Sequence, residues 1–481
     1  MLFNSIAFLL FLPIVFSLYW LLQKHWKVQN LLVVIASYVF YGWWDYRFLG
    51  LLFLTTLLSY LSGLLLSSTE QQNRRRWICG GNIVINLAIL GYFKYFNFFA
   101  ENLQALLGSI GIHLDQVTLD VILPVGISFY TFQALSYSID VYRRQLPATR
   151  DFVAFASFIS FFPQLVAGPI EQAAHLLPQF QKARRFDYNQ AVQGMRQILW
   201  GFFKKLIIAD NCAKLANGIF DHYTDANSSL LILGALFFTF QIYGDFSGYS
   251  DIALGTARLF GIELRKNFDS PYFSRDISEF WRRWHISLNK WFIQYVYIPL
   301  GGNRCSKAKT IRNILVVFFL SGLWHGANWT FVTWGIYNGI LLSIMLFFRR
   351  QYAPLSDYRV FPPVIDILRM IGTFVLVVIG WVIFRASSLT EAGDYLLRII
   401  TQSPLSKPNF WAGDLDLFQI AFTLFFILVL QGAEWLQRKQ DFALDLSNVR
   451  FRAVRWGIYI LLLLIFTIFA GGQEAFIYFQ F

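Results

Sequence analysis

Apolar positions run along the chain in blocks of near-spanning length, at about 4–22, 30–46, 48–67, 78–98, 120–140, 152–170, 197–216, 230–257, 313–348, 364–384, 416–436 and 455–472. A helix of roughly 20 apolar residues crosses the ~30 Å hydrocarbon core of a bilayer. The pattern therefore predicts an all-α polytopic membrane protein with about 11–12 transmembrane helices. Several blocks contain Gly, Pro or polar residues, which membrane depth tolerates only where the backbone is buried in protein or lines a cavity. The first block, MLFNSIAFLLFLPIVFSLYWLL, lacks a basic lead and a small-residue cleavage site, and its apolar run exceeds that of an ordinary signal sequence. It is expected to remain as the first membrane helix.

The polar segments between blocks sort by charge. Lys24 and Lys27, Arg74 to Arg76, Arg143 with Arg144, Lys182 to Arg185, Lys204 with Lys205, Arg349 with Arg350, and Lys439 with Arg450, Arg452 and Arg455 are basic, whereas 99–120 and 217–229 contain no Lys or Arg. Lys and Arg are retained on the cytoplasmic side, which puts the N-terminus outside and the Arg74–Arg76 loop inside. Basic residues on both sides of 152–170 want the cytoplasm, so FISFFPQLVAGPIE reads as a re-entrant hairpin turning near Pro163 to Pro169.

Composition sharpens this picture. Apolar residues make up 56% of the chain and charged residues 14%, against roughly 45–50% and 25% in a soluble domain. The net charge of +12 in so apolar a chain reflects cytoplasmic loops and not nucleic-acid binding. Cys79, Cys212 and Cys305 are scattered, so neither a disulfide framework nor a zinc site is expected. Half of the net charge, +6, falls in residues 261–312. Within them Trp281, Trp284, Leu288, Trp291 or Phe292 and Tyr295 recur at helical spacing, with Arg282, Arg283, Asn289 and Lys290 on another face, predicting one amphipathic helix at the cytoplasmic interface.

Ionisable groups inside apolar blocks are costly and usually functional. His325 lies in FLSGLWHGANW, between two apolar runs, with Gly322 and Gly326 near it and Trp324 and Trp329 beside it. A histidine there gives or accepts a proton near neutral pH, although a packing role fits the same position. His285 sits on the basic amphipathic segment, where proton chemistry and a place at headgroup level fit equally well. His25, His113, His175 and His222 fall in loops or near block ends. Asp245 and Asp251 interrupt QIYGDFSGYSDIA; buried carboxylates need partners, and Arg258, Arg265 and the arginines before His285 are the expected cations, in a structural ion-pair role. No phosphate-binding loop, nucleophile elbow, HExxH or dinucleotide fingerprint occurs, which argues against ATP-driven transport and serine-hydrolase chemistry. The Asp414 and Asp416 pair is a three-residue match of the kind expected by chance.

Taken together, VILPVGISFYTFQALSYSIDVYR, FPQLVAGPI, QIYGDFSGYSDIALG, FWRRWHISLNKWF, YIPLGG, FLSGLWHGANW and the ending FIYFQF resemble the membrane-bound O-acyltransferases, and within them the alginate O-acetyltransferase branch related to the membrane component of teichoic-acid D-alanylation. The resemblance implies one integral-membrane acyltransferase domain over 1–481, with a motif-bearing core at about 120–340 and C-terminal helices at 364–481. It also implies re-entrant and interfacial helices that enclose a tunnel. It places the family's histidine on His325 and its second, His or Asn, position on His285. Trp324, Asn328, Trp284, Arg282, Arg283, Asp245 and Asp251 are candidate substrate contacts. No bound cofactor and no metal are implied. The donor is a cytoplasmic thioester, usually acetyl-CoA, whose phosphates the 261–312 charge would attract. The implied partners are a periplasmic SGNH-like acyltransferase and polysaccharide biosynthesis and export proteins, in the bacterial inner membrane. Whether His325 deprotonates an acceptor or carries the acyl group is open, and a transporter or flippase that makes no covalent bond is the competing reading.

Overall fold

The computed structural model describes residues 1–112, 118–119, 122–348, 352–358, 361–410, 412, 415–447, 449–470, 472 and 476–477. His113, Arg349, Arg350 and Asp414, singled out above, lie outside them. Among the described residues the regular structure is helical, with no strand. Six helices are long and apolar enough to cross a membrane, Tyr46–Ser67, Gln72–Lys94, Ser228–Leu259, Val364–Arg385, Leu417–Leu436 and Arg452–Phe469, and Ile6–Leu21 and Trp329–Met345 are shorter apolar helices. The chain is a multi-pass membrane protein. The remaining apolar blocks form helices that are shorter, broken or not fully apolar. The chain divides into two compact units, residues 1–191 with 256–265, and residues 192–255 with 266–481.

The first unit contains α1 (Ile6–Leu21), α2 (Trp26–Gly42), α3 (Leu49–Ser67), α4 (Gln72–Lys94), α5 (Phe96–Ser109), α6 (Ile127–Tyr142), α7 (Phe152–Ser160), α8 (Phe162–Leu165) and α9 (Ala173–Phe180). Helix α6 is buried along most of its length. Arg74 to Arg76 form no loop. They lie in the first turns of α4, and the buried Arg75 donates to the carbonyls of Val141 at 2.9 Å and Tyr142 at 3.0 Å. The orphan carbonyls at the end of α6 take up that charge. In the 152–170 block the helix stops at Ser160, Phe161 turns the chain, and only four residues of α8 follow, so no continuous helix forms there.

The second unit takes the C-terminal part of α10 (Tyr188–Phe202), then α11 (Asp210–Asp221) and most of α12 (Ser228–Leu259). It continues through α13 (Ile277–Arg283), α14 (Ile286–Phe292), α15 (Lys307–His325), α16 (Trp329–Met345), α17 (Val364–Arg385), α18 (Leu389–Thr401), α19 (Leu417–Leu436) and α20 (Arg452–Phe469). Helix α12 has 32 residues, and 78% of its spanning window is buried. Helices α15 and α16 form an antiparallel hairpin whose backbones nearly touch. A Cβ on Gly322 would lie 2.3 Å from the Phe331 carbonyl oxygen, and one on Gly335 would lie 2.2 Å from that of Phe318. Only glycine permits that approach, and His325 is the last residue of the helix it positions.

Candidate functional site

The predicted amphipathic helix around His285 is broken. Helix α13 ends at Arg283, Trp284 is extended, and His285 adopts φ 45°, ψ 52° before α14 begins. A left-handed conformation is uncommon for a side chain without a local stabilising bond, and here the surroundings hold it. The Ile286 N–H donates to the Asn267 carbonyl at 2.9 Å. The Asn289 amide donates to the carbonyls of Trp281 and Trp284, both at 2.7 Å, covering the groups the break exposes. Trp281 and Trp284 are no interface anchors. Both are buried, Trp281 against Phe318 and Trp334 and Trp284 against Trp381. Periodicity reported the apolar face correctly but not the break, since a break depends on partners distant in sequence.

His285 is 1% exposed, its ring 4.6 Å from Phe246 edge-on and 5.9 Å from Trp324. It lies outside the spanning helices, and burial pushes its pKa down to about 3, so the imidazole is neutral at physiological pH. His325, also buried, closes α15 and sits among Trp324 at 5.0 Å, Trp334 at 5.1 Å and Phe384 at 5.3 Å. Both histidines, forty residues apart in the chain, are thus brought against the same indole, that of Trp324. Of the other histidines, His175 bonds Glu171 at 2.7 Å and His222 faces the Gly218 carbonyl.

Asp245 and Asp251 do form structural ion pairs, but with different cations from those expected. Lys205 bridges Asp245 and Asp210, each at 2.8 Å, and Lys204 pairs with Asp251. Lys204 and Lys205 are therefore not loop charges. They are buried in a π-helical segment, Phe203–Ala209, which follows α10. The wider π turn departs from the 3.6-residue repeat and directs two consecutive lysines towards α12. Their position inside the apolar 197–216 block was the signal for this. Asp251 also accepts from Gln197 at 2.8 Å, and Asp245 accepts from the Ile477 N–H at 2.6 Å, seating Ile477 beside the site. Tyr243 donates to Glu434 at 2.5 Å. A polar recess lined by Lys204, Tyr243, Ser250, Asp251, Asn267 and Glu434 lies alongside.

The arginines of the 261–312 segment are largely committed. Arg283 pairs with Glu279 at 3.0 Å and Asp269 at 3.2 Å, and Arg275 pairs with Glu279 at 2.7 Å. These cations hold the Glu279 and Asp269 carboxyls below the usual carboxylate range against the opposing effect of burial. Arg282 is exposed and bonds Ser278. Asn328 caps α16 by accepting from the Thr330 N–H at 3.0 Å and donates to the Ser387 carbonyl. Asp416 caps α19. No cluster with metal-ligand character occurs among the described residues. Asn267 and Glu434 were not singled out by sequence reasoning, and Lys204 and Lys205 were read only as basic topology signals, because each takes its meaning from a partner on another element.

The sequence profile of the MBOAT, membrane-bound O-acyltransferase, family matches residues 84–384. The probable alginate O-acetylase of Azotobacter vinelandii is 43% identical over 85% of this chain and 81% of its own length. A peptidoglycan O-acetyltransferase of Helicobacter pylori is 37% identical over 82% and 78%. A teichoic acid D-alanyltransferase of Bacillus subtilis is 31% identical over 54% and 68%.

Proposed function

The chain belongs to the membrane-bound O-acyltransferase family, and from that premise we propose that it moves an acetyl group from cytoplasmic acetyl-CoA, across or within the bacterial inner membrane, for O-acetylation of an exported polysaccharide. The observation that carries the chemistry is the placement of His285 and His325 on one indole, in a buried aromatic pocket. Relatives named for acyl transfer to polysaccharide or peptidoglycan support the reaction class over the transporter reading.

In the proposed reaction an acceptor hydroxyl oxygen forms a bond to the acetyl carbonyl carbon, and the carbon–sulfur bond of the thioester breaks. His325 takes the hydroxyl proton as the new bond forms and returns it to the thiolate, so CoA leaves as the thiol. The polar recess beside Asn267, with Lys204 at its wall, suits the polar arm of a thioester donor, and exposed Arg282 its phosphates. A separate periplasmic partner of the SGNH-like acyltransferase type places the group on the polymer, beside the polysaccharide synthesis and export proteins. The exposed basic segments face the cytoplasm and the N-terminus the periplasm.

The test is ester-linked acetate released by mild base from the polymer of cells expressing wild type or His325→Ala at matched membrane levels. A positioned base contributes roughly 10²–10⁴ in rate. His325→Ala should therefore lose detectable acetate while polymer export continues, and normal acetylation by that variant refutes the role.

A further inference from the structure

Asn267 is buried, 1% exposed, on the segment between α12 and α13, and its side-chain amide and backbone carbonyl bond the turn carrying His285 and α12. Its side-chain oxygen faces His285 Nδ1 at 3.1 Å, the Ser287 N–H at 3.3 Å and the Ser287 hydroxyl at 2.9 Å. Its amide nitrogen donates to the Ser250 hydroxyl at 3.2 Å. Its backbone carbonyl accepts from the Ile286 N–H at 2.9 Å.

This set of contacts decides a hydrogen position. A backbone N–H can only donate, so the amide atom facing Ser287 N is the oxygen. An amide oxygen can only accept, so His285 Nδ1 must carry the hydrogen it shares with that oxygen. A neutral imidazole has one N–H, and Nε2 is left with the lone pair. His285 Nε2 is buried and has no hydrogen-bond partner among the described residues. A buried acceptor without a donor is unfavourable, and an incoming O–H or N–H hydrogen relieves that.

We propose that Asn267 is the positioning residue of the site: it locks His285 in the Nδ1–H tautomer and in its left-handed turn, so that Nε2 presents a fixed lone pair to an O–H or N–H group of a substrate other than the reacting hydroxyl, whose single proton goes to His325. The inference rests on the acyl-transfer reading and assigns His285 the part of a hydrogen-bond acceptor that orients the substrate, with the proton transfer itself left to His325. A carboxylate at position 267 still accepts from Nδ1–H, whereas a methyl group does not. Removing the hydrogen-bonded partner of a metal-ligating imidazole costs roughly 10- to 100-fold in metal affinity or activity, and the same scale is expected for an imidazole held towards a substrate.

The experiment pairs a spectroscopic and a kinetic readout on full-length protein in lipid nanodiscs. With ¹⁵N-histidine labelling, the His285 signals are those lost in His285→Gln, and protonated and bare ring nitrogens are widely separated in shift. Wild type and Asn267→Asp should show Nδ1 protonated and Nε2 bare, and Asn267→Ala should lose that preference. Acetyl transfer from acetyl-CoA should fall about 10- to 100-fold in Asn267→Ala with the donor KM little changed, and Asn267→Asp should recover most of the loss. An Nε2-protonated His285 in wild type, or an unchanged tautomer in Asn267→Ala, overturns the proposal. So does wild-type transfer by His285→Gln in an assay where His325→Ala is inactive, which would leave acyl transfer standing. Absence of transfer by wild type itself would instead refute the acyl-transfer reading, and with it the substrate role given to Nε2.

Discussion

Gly335→Ala tests whether the α15–α16 crossing sets the position of His325. The added Cβ would lie 2.2 Å from the Phe318 carbonyl oxygen and 3.2 Å from the Gly322 Cα. Both of these are backbone atoms, so no side chain can swing aside to make room. Restoring an ordinary non-bonded separation of roughly 3.5 Å requires the helices to part by about 1 Å. Overpacking of this kind costs about 1–3 kcal/mol, and a 1 Å misplacement of a reacting group costs up to about 10²-fold in rate. The neighbouring residue, Trp334, packs on His325 at 5.1 Å, and His325 ends the opposing helix, so both sides of the pocket move. Gly372→Ala in α17 is the control, since nothing lies within 4 Å of the Cβ it would add. Its expected effect is within about 0.5 kcal/mol. The measurements are the melting temperature of detergent-solubilised protein and polymer ester acetate at matched membrane levels. Gly335→Ala should melt several degrees lower and acetylate at least ten-fold less, while Gly372→Ala matches wild type. A Gly335→Ala protein that melts and acetylates like wild type would show that the crossing does not position the site.

Two further outcomes follow from the charges. Lys205→Met leaves Asp210 and Asp245 buried without their shared cation, at a cost of about 3–5 kcal/mol; membrane yield and melting temperature should drop, and Lys205→Met with Asp245→Asn should regain part of the loss. Wild-type stability of the single variant would refute the bridge. Burial lowers the His285 pKa from 6.5 to about 3, so between those values the unfolded chain binds a proton that the folded protein does not. Stability is therefore full above about pH 6.5 and lost below it, by about 2 kcal/mol at pH 5. His285→Gln should show a shallower fall in melting temperature between pH 7 and pH 5, and equal slopes would contradict the assignment.

The class of protein was legible along the chain because hydropathy is a local property. A block of some twenty apolar residues has one favourable environment whatever it packs against, and five of the six spanning helices, all but Gln72–Lys94, stay close to their blocks. The burial of His325, a titratable group flanked by apolar runs and glycines, was legible for the same reason. Tertiary structure alone decided the partners of the buried charges. Lys204 and Lys205 looked like topology signals until the π segment aimed them at Asp251 and Asp245, forty or more residues away. It also decided the break at His285, which helical spacing concealed and which Asn267 and Asn289 sustain from outside the turn. Periodicity reports which side of a segment is apolar, but a left-handed residue, a hydrogen-bond tautomer or an ion pair is set by whichever group the fold brings within about 3 Å. That distance does not exist until the helices have packed.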